Sequence, residues 1–97
     1  MSGEFYEEAS QVVTIGSHDD CDVVFDKPTV SGLHARVVWD ERKQGWYLED
    51  TGSTNGTFLR GVRLQLGQSA EVVVGDEVYL GKSVSFEITP DLLSRST

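Results

Sequence analysis

The chain has 97 residues, 38% hydrophobic and 25% charged, with a formal net charge of −8. That length suits one domain around one core, and no apolar run approaches the ~20 residues of a membrane helix. The acidic balance repels nucleic-acid phosphates and anionic lipid headgroups, so nucleic acid and direct membrane contact are excluded as expected partners.

Met1-Ser2-Gly3-Glu4 has neither the basic start nor the apolar stretch of a secretory signal, and Cys21 is the only cysteine, which rules out an internal disulfide. Both features predict a reducing, cytoplasmic location. After a lead-in over 1–11, apolar residues come in short runs separated by turn residues rather than at helical spacing. The first runs are Val12–Ile15, Val23–Phe25, Ala35–Trp39 and Trp46–Leu48. Thr57–Leu59, Val62–Leu64, Glu71–Val74, Glu77–Leu80 and Val84–Ile88 follow, rich in the β-branched and aromatic side chains that suit a pleated surface. Alternation puts Trp46 and Leu48 on one face of their strand and Tyr47 on the other.

Turn chemistry separates the runs: a polar loop from Asp40 to Gly45, Asn55-Gly56, Gly75-Asp76 and Gly81-Lys82. Many short strands with frequent turns predict an all-β sandwich or barrel over 12–88. In the tail, 89–97, Pro90-Asp91-Leu92-Leu93 places proline early enough to start a helical turn, with a disordered tail as the alternative.

The unusual sequence lies in the loops Gly16–Asp22, Pro28–His34 and Thr51–Gly56, where a rigid sheet scaffold commonly carries its binding groups. In order, Ile15-Gly16-Ser17, Val30-Ser31-Gly32-Leu33-His34-Ala35, Asp50-Thr51-Gly52-Ser53-Thr54-Asn55-Gly56-Thr57-Phe58 and Gly75-Asp76-Glu77-Val78-Tyr79-Leu80-Gly81 resemble successive motifs of the forkhead-associated (FHA) family. The likeness covers roughly Val12 to Ile88. It implies a two-sheet antiparallel β-sandwich and a protein-interaction module without catalytic activity or cofactor, whose loops at one end bind phosphothreonine in an extended peptide. By the same resemblance Ser31 donates to phosphate and Thr54 and Asn55 hold phosphate and peptide backbone, with Gly32 beside them. Gly16, His34 and Gly56 are structural. The short lead-in leaves little material for the family's first strand, which implies an excised domain or a missing edge strand.

The departure is Ser17, at the position where the family pattern has a phosphate-pairing arginine. A serine hydroxyl cannot imitate a forked, permanently charged guanidinium. Asp19, Asp20 and Asp22 share its loop. His18, Arg60 and Arg63 are the candidate substitute cations. The expected function is therefore a degenerate FHA-type module with weak or absent phosphothreonine binding, associating with a protein partner or another copy of itself independently of phosphate. The alternative is a phosphothreonine-binding domain that uses a relocated cation.

Other readings of the same residues stay open. Ser31 also suits a loop cap, though its motif context favours the site position, and Thr54 and Asn55 suit plain turn formers. His34 has no Asp, Glu or Cys at a metal-ligand spacing, so it is expected to bridge loops rather than bind metal. Asp50 and Asp76 are expected to accept backbone N–H bonds in turns. Cys21, among acidic neighbours, is expected to be unreactive. A catalytic reading lacks a nucleophile–base constellation.

Overall fold

The structure, a computed structural model, describes residues 11–96; the lead-in 1–10 lies outside the described residues. The strands are β1 (Val12–Gly16), β2 (Val23–Val24), β3 (Ala35–Asp40), β4 (Gly45–Asp50), β5 (Thr57–Leu59), β6 (Val62–Arg63), β7 (Ser69–Val72), β8 (Glu77–Leu80) and β9 (Val84–Glu87), followed by the one-turn helix α1 (Pro90–Leu93). They form a five-stranded sheet in the order β2-β1-β3-β4-β7 and a four-stranded sheet in the order β6-β5-β8-β9. Every pairing is antiparallel except β1 with β2, which is parallel. The loop 17–22 allows this by bringing the chain back along β1 rather than turning it as a hairpin.

Period-two alternation sets the faces. In β3, Ala35 and Val37 are fully buried while Arg36 is exposed; opposite them, Leu48 is fully buried and Arg36 pairs across the ladder with Glu49. Val13, Ile15, Val78, Leu80 and Ile88 complete the centre of the core. Each such side chain contributes about 1.5–3 kcal/mol by burial. The outward Arg36–Glu49 ion pair at 2.8 Å contributes at most about 1 kcal/mol. Burial therefore decides the register. Trp46 packs on the core beside Leu48, its ring edge-on to Trp39 at 5.4 Å, and Tyr47 takes the outer face beneath Lys43.

One strand is displaced from expectation by two residues. The strand expected over Glu71–Val74 runs from Ser69 to Val72. Val73 leaves it because Asp76 accepts the Val73 N–H at 2.9 Å and closes a turn, exposing Val73 and Val74. The β5–β6 connection is the tightest hairpin: Arg60 and Gly61 both have positive φ, 52° and 81°, as a primed two-residue turn requires. At the C-terminus, Thr89 caps α1 by accepting the Leu92 N–H at 3.0 Å, and Leu92 is buried against the core, so the helical alternative holds. Among the described residues, no helix is long and apolar enough to cross a membrane.

Candidate functional site

The loops 17–22, 28–34 and 51–56 meet at one end of the sandwich, held by backbone bonds. Ser17 N–H donates to the Ser31 carbonyl at 3.0 Å and His18 N–H to the Gly32 carbonyl at 3.1 Å. The approach is so close that a Cβ on Gly16 would overlap the Gly32 carbonyl oxygen. Glycine is needed there for space, since a backbone atom cannot swing aside as a flexible side chain can.

His34 ties the second loop to the third. Its ring is fully buried; Nδ1 accepts the Ser31 N–H at 3.1 Å, so the ring proton sits on Nε2 and donates to the Gly56 carbonyl at 2.8 Å. The same carbonyl accepts the Gly81 N–H at 2.8 Å, bringing a fourth loop, 81–83, to this end.

Asp50 shapes the third loop. Its carboxylate accepts from the Gly52 and Ser53 amides and from the Ser53 and Thr57 hydroxyls. Burial alone would raise its pKa, but these bonds to the charged form outweigh burial and hold it below the ordinary carboxylate value. Gly56, at φ 90°, then turns the chain into β5.

Upon this frame Ser31, Thr54 and Asn55 come together. Ser31 Oγ accepts the Thr54 N–H at 3.1 Å, which leaves the hydroxyl proton for an outside acceptor. Asn55 Nδ2 donates to the Thr29 carbonyl at 2.8 Å, leaving its own carbonyl oxygen as an acceptor. Ser17 and Gly32 flank Ser31 through the backbone bonds above.

The candidate cations separate. Arg60 lies at the far end, bonded to Asp76 at 3.0 Å and to the Glu71 carbonyl at 3.2 Å, so it does not reach the site. The chain direction explains this: β5 starts at the site and ends at Arg60. A bond from the Val73 amide comes first, and the Arg60 guanidinium adds to it, in holding Asp76 below the ordinary carboxylate value. His18 is exposed and its Nδ1 accepts the Asp20 N–H at 3.2 Å. Arg63, carried back by β6, lies at the site end: a Cβ on Gly56 would come within 2.7 Å of its Nε. No salt bridge engages Arg63 among the described residues. Lys82 lines a cleft of about 190 Å³ with Thr29, Asn55, Gly81 and Ser83. Sequence reasoning missed Lys82, whose only signal was its place beside the Gly81 turn.

Of the loop acids, Asp22 is structural, accepting the Thr14 amide and hydroxyl at 2.9 and 3.1 Å. Burial first, then the carboxylates of Asp22 and Asp20, pushes the Cys21 thiol above its ordinary value. Among the described residues, no group of three His, Cys, Asp or Glu is placed to hold a metal ion.

The sequence model of the FHA domain matches residues 13–81. The chain belongs to the FHA domain family. Protein FhaB of Mycolicibacterium smegmatis is 40% identical over 90 residues, covering 93% of this chain and 55% of that protein. FHA domain-containing protein PS1 of Arabidopsis thaliana is 29% identical over 76 residues, 78% of this chain and only 5% of that protein. The chain thus spans a part of the curated relatives it matches. Among solved structures, the N-terminal FHA domain of S. cerevisiae Rad53p, in complex with a phosphothreonine peptide, superposes with a TM-score of 0.71 at 28% identity, covering 81% of this chain and 67% of that one. The FHA domain of an Arabidopsis thaliana hypothetical protein gives 0.74 at 25% identity, covering 82% and 67%. The FHA domain described here therefore shares both sequence motifs and sandwich with its relatives.

Proposed function

We propose that this FHA domain is a protein-interaction module that receives an extended peptide across the Ser17, Ser31 and Thr54 loops and binds phosphothreonine only weakly. Most of its association, with a partner or a second copy of the chain, is then independent of phosphate. The observation that carries the reading is the Ser31 hydroxyl, which accepts the Thr54 amide and retains its proton for a phosphate oxygen. The position expected to supply the guanidinium holds Ser17, with exposed Asp19 and Asp20 in the same loop. Loss of one charge-assisted contact costs about 1.5–3 kcal/mol, or about one to two decades of affinity. The phosphothreonine peptide bound by the Rad53p domain supports the ligand class.

Arg63 beside Gly56 and Lys82 beside Asn55 favour a second reading, in which these side chains meet the dianion instead. Calorimetry with phosphothreonine and unphosphorylated peptides, parent against Ser17→Arg, separates the two. Weak phosphate dependence in the parent and a gain of about one to two decades in the variant are expected. That gain shrinks with salt, because an exposed pair is screened over about 8–10 Å. Micromolar, phosphate-dependent binding by the parent would replace the first reading with the second.

A further inference from the structure

Next to Ser31 in the chain, Gly32 borders a second cleft of about 340 Å³, lined also by Thr14, His18, Asp20, Cys21 and Leu33. We infer that this cleft anchors an apolar side chain of the bound peptide, with a neighbouring basic residue of that peptide meeting Asp20 at the rim. The inference rests on the reading that these loops receive a peptide.

Continuity with that site is the first argument. Gly32 follows Ser31 directly, and its carbonyl takes the His18 amide at 3.1 Å and the Cys21 thiol at 3.3 Å. The hydrogen bonds that position Ser31 and Ser17 thus also fix one wall of the cleft. A peptide crossing Ser31 passes its mouth.

The wall is the second argument. Leu33 is 47% exposed although its backbone is pinned, its amide neighbour His34 donating to Ile15 and its carbonyl accepting the Thr51 hydroxyl at 2.7 Å. A leucine held in water at a fixed place gains by being covered, and with the Cys21 thiol and the Gly32 backbone it makes a floor with few groups that water would hold. The volume is at the low end of the ~300–1,000 Å³ typical of ligand sites, which suits one peptide side chain rather than a folded partner.

Charge supplies the third. His18 Nδ1 is occupied by the Asp20 amide, and the Asp20 carboxylate is exposed at the rim, with exposed Asp19 next to it in sequence. With a net charge of −8 on the chain, the rim selects a cationic residue next to the apolar one and disfavours an acidic one. An apolar anchor would also give the domain the phosphate-independent affinity that Ser17 leaves it needing.

The test uses a library of phosphothreonine peptides varied at each flanking position, the same library with unphosphorylated threonine, and the whole chain as parent, Leu33→Asp and Leu33→Met. The parent is expected to prefer an apolar residue beside a Lys or Arg on one flank of the threonine, in both libraries. Leu33→Asp should erase that preference with about a tenfold loss of affinity for the selected peptides, and Leu33→Met should restore it. Asp20→Lys should remove the preference for the basic neighbour alone. If phosphorylation makes no difference but the Leu33-dependent preference persists, the phosphothreonine reading falls and the anchor stands. Binding without an apolar preference, a preference that survives Leu33→Asp, or no binding in either library overturns the anchor.

Discussion

Replacing His34 with alanine should cost this FHA domain about 3 kcal/mol, and the figure follows from its two ring bonds. The ring is fully buried, and Nδ1 is the acceptor for the Ser31 N–H. Without it that amide is left unpaired, at about 1–3 kcal/mol. The Gly56 carbonyl loses Nε2–H but keeps the Gly81 N–H, so its loss is nearer the ordinary net value of about 0.5–1.5 kcal/mol. A vacated imidazole leaves a cavity as well, but its polar rim can admit a water that re-pairs the amide, which keeps the sum near the middle of these ranges. Against a typical total stability of about 5–15 kcal/mol, this is a large fraction. Thermal melts should shift down by about 12–24 °C, and the urea midpoint should fall with the slope m unchanged. Hydrogen exchange at Ser31 should accelerate beyond the global change, because its amide acceptor has gone. Coincident melts of variant and parent would refute the bridging role; equal exchange at Ser31 would refute the assignment of Nδ1 as acceptor.

Asp50 has a depressed folded pKa, so its contribution is complete above the ordinary carboxylate value of about 3.9 and drains away as pH falls below it, through the lower folded value. Denaturation midpoints should therefore decline on acidification in that window, and Asp50→Asn should flatten the decline; a parallel decline in the variant would mean another group titrates. For the cations, Arg60→Ala should lower stability by no more than about 1 kcal/mol, since its Asp76 pair is exposed on one side, and leave peptide affinity unchanged. Arg63→Ala should instead weaken whatever phosphate-dependent binding calorimetry finds and reduce its salt dependence; equal effects of the two variants would contradict their placement at opposite ends.

Much of this was legible in the chain itself. The short β-branched runs predict an all-β fold, and alternation in strands such as Ala35-Arg36-Val37 sets which side chains face the core. Gly16, His34 and the Thr54-Asn55-Gly56 string mark the loop end of the sandwich by their motif spacing. Part of the local hydrogen bonding was legible too, since the short carboxylates of Asp50 and Asp76 accept amides two and three residues away. Where a side chain competed with the ladder, as Asp76 does for the Val73 amide, the strand boundary moved.

Distance along the chain limits such reasoning at the cations. Arg60 and Arg63 stand three positions apart, and nothing in their local sequence says which reaches the loops. The primed turn at Arg60-Gly61 reverses the chain between them, leaving Arg60 against Asp76 and returning Arg63 to Gly56. Lys82 shares a cleft with Asn55 where the Gly81 amide pairs with the Gly56 carbonyl, and Leu33 shares one with Cys21 where the Cys21 thiol and the His18 amide both bond the Gly32 carbonyl. The sequence by itself determined the strands, the faces and the end that carries the loops, because period-two alternation and turn chemistry act between near neighbours. Tertiary structure alone decided which charges and apolar groups share that end, because pairing brings together residues whose separation in the chain carries no record of the contact.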